Sequence, residues 1–327
     1  MELKKLLLKS KVVSRIRQIR HARNQFQTSQ YNSKLNGKDM YHSLCEWYKE
    51  RTGRVLDLSD PKTYDEKIQW SKIYASTPLK TRLADKYLVK DYARERIGEE
   101  HLNRLLGVWE SFDEIDFDSL PNRFVLKATH GCKWNIIVPN KAKFNKAHAR
   151  KLFSYWMKTN YAFVYGFELH YRDIRPRIIA EEYLETKTGE LPDYKISCFG
   201  GKPYVIQYLS DRNMGTTIAA YDPEWNRIDL RFGHPSKDVT IPRPEKLDEL
   251  LWAASSLSEG FNFVRVDFYI LDDGSIRFGE MTFTPSSGVH RWFSDENYDS
   301  IMGDMFLLPE KYYLPGIIYD FLPENNS

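Results

Sequence analysis

The chain is short of cysteine, and what it has is not arranged for chemistry. Cys45, Cys132 and Cys198 are odd in number and far apart, without the close spacings of a zinc site or a disulfide framework, which suits a reducing cytoplasm. Long apolar runs are also missing. Nothing approaches the roughly 20 residues that span a bilayer, and Leu6-Leu7-Leu8 is too short and too soon followed by charge to be a secretory core. The expectation is a cytoplasmic chain, soluble or peripheral at the inner face of the membrane. Nor is there a large charge of one sign. With 48 Lys and Arg against 45 Asp and Glu, the net charge of +3 gives no signal for nucleic acid. Internal repeats, low-complexity tracts and flexible linkers are absent. What is present is 327 residues, 42% hydrophobic and 14% aromatic, enough for one large or two modest domains with a sizeable core.

The most informative stretch is FVRVDFYILDDGSIRFGEMTFTPSSG, residues 263–288. Two runs rich in β-branched and aromatic residues flank Asp-Asp-Gly-Ser, and Asp273-Gly274 is a two-residue hairpin signal. Pairing Asp272 with Ser275 sets Asp267 opposite Glu280 and Arg265 opposite Thr282. Because side chains alternate along a strand, these four share one face. Val264, Val266, Phe268, Met281 and Phe283 take the other face and read as core. Two carboxylates directly opposite repel unless a positive charge lies between them. A divalent cation would supply it. Oxygen ligands from Asp267, Glu280 and the Thr282 hydroxyl suit magnesium, with Arg265 beside it to neutralise a phosphoryl group. Spacing alone fits equally a solvated face on which Arg265 pairs one of the acids.

Elsewhere the pattern is mainly helical before residue 107. Residues 1–30 carry Lys4, Lys5, Lys9, Lys11, Arg15, Arg17, Arg20 and Arg23 against Glu2 alone. Interleaved with Leu6, Leu7, Val12, Val13, Ile16 and Ile19, they predict a basic helix that either lies on an anionic membrane or packs on the body. HSLCEWYKERTG predicts a helix closed by Gly53. Thr63 and Glu66 have capping-box spacing, with Trp70, Ile73 and Tyr74 as the apolar stripe. LKTRLADKYLVKDYARERIG predicts one helix, with Asp85 and Lys86 in an exposed intrahelical charge pattern. RFVLK and NIIVP read as strands joined by ATHGCKWN, where Gly131, Lys127 and Lys133 fit a phosphate cradle without making a Walker loop. His130 beside Cys132 lacks a third partner for a nucleophile. KAHARKLFSYWMKTNYAFVY predicts a long helix, RIIAEEYLE a strand, and DYKISCFGGKPYVIQYLSD a hairpin turning at Gly200-Gly201. A further helix runs from about Pro244 to Glu259.

Taken in order, Lys127, the glycine loop, IIAEEYLE, DYKISCFGGKP, VRVDFY and FGEMTFTPSSG resemble the ATP-grasp superfamily. With Asp85-Lys86 and LPNRFVLKATHG, the wording resembles its teichuronopeptide-biosynthesis-like (TupA-like) group over residues 60–308. That resemblance implies an α+β ATP-grasp fold, two α+β subdomains gripping ATP between antiparallel sheets. The expected division is a basic segment 1–35, a helical region 36–107, a lid subdomain 108–185, a metal-binding subdomain 186–308 and a tail 309–327.

The resemblance also implies roles. Lys127 and Lys195 contact nucleotide phosphates, and Thr129, His130, Gly131, Cys132 and Lys133 close over them. Glu181, Glu182, Tyr183 and Leu184 form the adenine hinge, and Asp193 lies near the ribose. Asp267 and Glu280 bind magnesium, and Arg265 stabilises the transferred phosphoryl group. Thr282 stands where many members have Asn, and the usual α/β domain before the grasp region is replaced by helices. The implied reaction is ligation of a carboxylate and an amine through an acyl phosphate, with a glycan or glycan precursor as substrate and with His290 and Arg291 expected at the acceptor. A metal-dependent glycosyltransferase and a non-catalytic membrane-surface adaptor are the alternatives.

Overall fold

The computed structural model describes residues 2–210, 215–231, 233, 235–236, 240–294, 297–317 and 319, with side chains from residue 12 onward. Leu6 and Leu7 of the expected apolar stripe, Lys4 to Lys11 as side chains, and most of the expected tail lie outside that description. Helix α1, Glu2–Asn32, packs through Ala22, Gln25 and Ser29, while Val12, Val13 and Ile16 are exposed. Helix α2, Gly37–Thr52, is capped by Asn36 and closed by Gly53 in the left-handed region at φ 73°. Helix α3, Tyr64–Tyr74, carries the expected capping box between Thr63 and Glu66, and Trp70, Ile73 and Tyr74 are buried.

The single helix expected over 79–98 is broken. Helix α4 spans Pro78–Ala84 and α5 spans Val89–Ile97, with Asp85 in extended conformation between them. The Asp85 carboxylate accepts the backbone N–H of Tyr87 at 2.8 Å and the guanidinium of Arg177 at 3.0 Å. A short acidic side chain has here outcompeted the helical backbone bond. The expected exposed charge pattern is therefore wrong, because Asp85 is buried and Lys86 is turned inward.

Two antiparallel sheets follow. The first contains β1, Leu105–Trp109, β2, Phe124–Ala128, β3, Asn135–Val138, and, after helix α6, Lys146–Trp156, strand β4, Ile178–Glu182; its order is β1-β4-β2-β3. Strand β1 was not legible in Leu-Leu-Gly-Val-Trp, and it crosses the expected boundary at 107. Helix α6 stops well short of the expected residue 165. Asn160 turns the chain there, accepting from the N–H of Ala162 and donating to the carbonyl of Arg172.

The second sheet has the order β10-β9-β5-β6-β7-β8. Its strands are β5, Asp193–Phe199, β6, Lys202–Ser210, β7, Thr217–Tyr221, β8, Arg227–Ile228, then, after helix α7, Leu247–Ser258, β9, Phe263–Ile270 and β10, Ile276–Thr282; helix α8, Tyr298–Met305, closes the series. Gly200 and Gly201 make the expected two-residue turn, both at positive φ, 55° and 78°.

At the β9–β10 hairpin the expected pairing is reached by a different route. Asp267 faces Glu280 and Arg265 faces Thr282, but Ile270 faces Ile276 and Phe268 faces Phe278, one residue out of step with a two-residue turn. The turn is longer, Leu271 N–H donating to the Ser275 carbonyl, and a bulge at Gly279 restores the phase. A side chain at residue 279 would put its Cβ 2.9 Å from the Asp267 carbonyl oxygen, so the bulge requires glycine. It also moves Ile276 and Phe278 onto the core face, joining Val264, Val266, Phe268, Met281 and Phe283, none more than 3% exposed.

Candidate functional site

On the polar face of the second sheet, the register puts Lys195 on β5 beside Asp267 on β9, which in turn faces Glu280 on β10. The Asp267 carboxylate accepts from Arg265 Nε at 2.6 Å and Nη2 at 2.8 Å, and from Lys195 Nζ. Lys195 also lies 3.4 Å from Asp193. Burial opposes ionisation of Asp267, but Arg265 and Lys195 override it and hold the carboxyl below its usual range. Glu280 is held differently. Its side chain is 32% exposed, and the nearest cations, Lys86 Nζ and Arg265 Nη2, are each 3.8 Å away. Thr282 accepts from Arg265 at 3.1 Å and donates to Glu280 at 3.4 Å.

Two carboxylates and a hydroxyl fit a hard cation chemically. Among the described residues no group of three or more His, Cys, Asp or Glu is arranged to hold a metal. A cation at Asp267 and Glu280 would therefore be completed by oxygens of a bound phosphate and by water, the usual habit of magnesium.

The first sheet carries a second set of charges. Lys127 on β2 and Lys90 on α5 both bond Glu181 on β4, the latter at 2.6 Å. Burial would raise the Glu181 carboxyl, but the two lysines carry it down to about 2. That carboxylate is committed to the fold. What the end of β4 leaves open is the backbone beyond it, with Glu182, Tyr183 and Leu184 half-buried and Arg123 stacked over the Tyr183 ring.

The loop after β2 turns inward more than expected. Thr129 and His130 are buried, and His130 Nε2 donates to the Trp156 carbonyl at 3.0 Å with its ring edge-on to Trp134. Burial pushes His130 down to about 4. Residues 129–133 are expected to close over the phosphates; within them the side chains of Thr129 and His130, polar residues in a polar loop, face an aromatic interior. Cys132 is half-buried with its thiol raised by burial, which removes the nucleophile reading, and Lys133 is exposed at φ 61°. At Gly131 the constraint is close approach, since an added Cβ would lie 2.4 Å from the Trp134 ring.

Lys86, expected in an exposed charge pattern, instead joins the two sides. Its N–H donates to the Thr129 carbonyl at 3.2 Å, and its Nζ donates to the Gly131 carbonyl at 2.6 Å while facing Glu280. The helical period running through Asp85 hid it. The signals were its place in the Asp85-Lys86 pair of the family resemblance and the acidic residue before it, a side chain prone to break helices.

The turn after β10 is fastened to α3. Ser286 and Ser287 are both left-handed, at φ 49° and 54°, a conformation that costs roughly 1–2 kcal/mol per non-glycine residue. Lys72 Nζ donates to the Ser287 carbonyl and to Gln69 Oε1, and Gln69 Nε2 donates to the carbonyls of Ser287 and Gly288. Burial pushes Lys72 down to about 7. His290 is anchored to the same helix: its N–H and Nδ1 meet the Asp65 carboxylate at 3.1 and 2.5 Å. Asp65 also takes the Trp292 indole N–H and the Arg54 guanidinium. Arg291 is exposed, stacked on Phe293.

A basic glycine loop on one antiparallel sheet, facing a carboxylate pair on a hairpin of another, defines an ATP-grasp protein. The chain belongs to the TupA-like ATPgrasp family, which matches residues 66–307. Solved structures with similar folds include the N5-carboxyaminoimidazole synthetase of Staphylococcus aureus complexed with ADP, at 14% identity over 69% of this chain and 50% of that one, TM-score 0.42. The D-alanine–D-alanine ligase of Bacillus anthracis complexed with ATP is similar at 14% identity over 69% and 65%, TM-score 0.39. The ATP-grasp ligase PsnB, complexed with minimal precursor, Mg and ADP, is similar at 13% identity over 73% and 63%, TM-score 0.39. The chain thus spans less than two thirds of each, and the assignment rests on the family match. No curated protein matches the chain in sequence. No helix among the described residues is long and apolar enough to cross a membrane.

Proposed function

We propose that the chain is an ATP- and magnesium-dependent carboxylate–amine ligase that works through an acyl phosphate. The observation that carries this reading is Glu280, aligned with Asp267 yet left half-exposed with its cations at 3.8 Å. Magnesium, when bound, screens charge between the nucleotide phosphates and these carboxylates. Asp267, Glu280 and Thr282 hold it. Lys86, Lys127 and Lys195 bind the phosphates, and residues 129–133 close over them, chiefly through backbone N–H groups, Cys132 and Lys133. The backbone of Glu181 to Leu184, with Glu182 and Tyr183, receives the adenine, and Asp193 lies near the ribose. Arg265 neutralises the phosphoryl group as a substrate carboxylate attacks it. An amine then displaces phosphate to form the amide. A carboxylate nucleophile needs no general base, so positioning and charge neutralisation suffice.

The acceptor lies by the turn after β10, where Arg291 reaches solvent and His290 is held by Asp65; both are assigned to it. The family name favours an amino acid or peptide joined to a cell-surface polysaccharide or its precursor, a substrate class that rests on analogy. Residues 1–30, with their basic excess and the exposed Val12, Val13 and Ile16, are assigned to peripheral contact with an anionic membrane. Failure to sediment with phosphatidylglycerol vesicles at low salt would remove that contact.

The test is thermal stability with ATP, ADP or UDP, each with and without magnesium, for the wild type and Glu280→Gln. Stabilisation by adenine nucleotides that needs magnesium and is lost in the variant supports the ligase. A response to UDP alone transfers the reading to a glycosyltransferase, and no response to any nucleotide refutes both.

A further inference from the structure

The family match begins at residue 66, yet a residue far upstream supports the glycine loop. Gln25, on the buried face of α1, is 7% exposed and bonded at both ends of its amide. Its Oε1 accepts the Trp134 indole N–H at 3.1 Å, and its Nε2 donates to the Tyr165 hydroxyl at 3.0 Å. An indole nitrogen only donates, so the amide has one workable orientation here.

Each partner leads to one side of the site. Trp134 is the surface on which Gly131 lies, with no room for a Cβ between them. Its ring stacks on Trp156 at 6.2 Å and meets the edge of Tyr161 at 5.2 Å. The Tyr165 carbonyl accepts from Ser287 Oγ at 2.9 Å, which ties the same glutamine to the left-handed turn after β10. His21 Nε2 also meets the Tyr165 hydroxyl, at 3.4 Å, whereas Ser29 and Asn32 of α1 are directed elsewhere. Ser29 Oγ donates to the Asn160 carbonyl at 2.8 Å and Asn32 Nδ2 to the Phe163 carbonyl at 2.9 Å, docking the helix without touching the loop.

We infer that Gln25 is a positioning residue for the nucleotide grip. By fixing the Trp134 indole it sets the height of Gly131 and so the placement of residues 129–133 over the phosphates. Helix α1, outside the family segment, is on this account a working part of the site. The inference rests on the reading of 129–133 as the nucleotide loop.

The experiment compares Gln25→Met, Gln25→Glu and Ser29→Ala with the wild type in the full chain. Two quantities are read: amide hydrogen exchange over residues 129–134 without nucleotide, and the affinity for MgATP. Gln25→Met leaves a buried indole N–H unpaired and is expected to speed loop exchange and weaken MgATP binding, each about tenfold. Gln25→Glu restores both, because a carboxylate accepts from the indole and from the Tyr165 hydroxyl. Ser29→Ala lowers the melting temperature comparably but leaves both readouts at wild-type values. Should Gln25→Met fail to fold, Trp134→Phe removes the same bond from the other partner while keeping a ring beneath Gly131.

Wild-type exchange in the loop of Gln25→Met, or equal acceleration in Ser29→Ala, would reduce Gln25 to packing and overturn the inference. If the wild type does not bind MgATP, the nucleotide reading fails, and the exchange rates still decide whether Gln25 positions the loop.

Discussion

Glu181 on β4 and Glu280 on β10 are both acidic residues near the ends of strands, and the protein treats them in opposite ways. Glu181 is 5% exposed, bonded to two lysines and held ionised down to about pH 2. Glu280 is 32% exposed in its side chain and has cations no nearer than 3.8 Å. One carboxylate is saturated by its neighbours and the other is not. Sequence spacing does not show how completely neighbours satisfy a carboxylate, and satisfaction alone does not sort them: Asp267 is bonded by Arg265 and Lys195 as fully as Glu181 by its lysines, so as a magnesium ligand it would have to share those bonds.

The sharpest way to break the contrast is to neutralise each acid. Glu280→Gln should lower magnesium-dependent ATP turnover by about 10³-fold while leaving the denaturation midpoint unchanged. Loss of stability without loss of turnover would reverse the assignment. Glu181→Ala should do the converse first, costing about 3–5 kcal/mol in chemical denaturation because two lysines lose a buried partner. A midpoint within error of the wild type would show that pair to be idle.

Acid tests the same contrast without mutation. The folded-state carboxyl of Glu181 sits at about 2 against an ordinary 4.5, so its contribution is complete above 4.5 and lost as pH falls toward 2. His130 sits at about 4 against 6.5 because burial disfavours its charged form, and the unfolded chain takes up that proton first. Its contribution is full above 6.5 and lost as pH falls to 4, on the order of 3 kcal/mol. His130→Gln should make that upper limb of the pH–stability curve shallower, the remainder coming from His170 and His148, whose charged forms burial also disfavours, and should leave the lower limb unchanged. An unchanged upper limb would place the loss elsewhere. The smallest expected effect is at Lys86, where Lys86→Met should raise the KM for ATP about tenfold through loss of one phosphate contact with little change in melting temperature. A KM equal to that of the wild type would confine Lys86 to bracing the loop.

Much of this was legible from local rules. The capping box at Thr63, the glycine closing α2, the Gly200-Gly201 turn and the facing of Asp267 and Glu280 all follow from short-range chemistry. The last was reached with the wrong turn. Ile276 and Phe278 share parity with Glu280 and Thr282, so a uniform strand would have put apolar and acidic residues on one face. That conflict marked the bulge at Gly279. What stayed hidden depended on partners far away in the chain. Asp85 breaks a helix because Arg177 waits for it, and Thr129 and His130 turn inward because Trp134 and Trp156 form a floor beneath them. Strands β1, β7 and β8 are too short or too rich in small residues to announce themselves, and long-range pairing alone makes them strands.

Asp65 stands one position before the segment that matches the family, and it gathers the His290 N–H and imidazole, the Trp292 indole and the Arg54 guanidinium. A fragment cut at the family boundary would keep every residue assigned to nucleotide and metal contact and still strand the His290 and Trp292 donors in the interior, having lost Arg54 together with Asp65. The segment that matches the family is therefore smaller than the set of residues that satisfies its interior. A fragment meant to keep that cluster must begin upstream of Arg54.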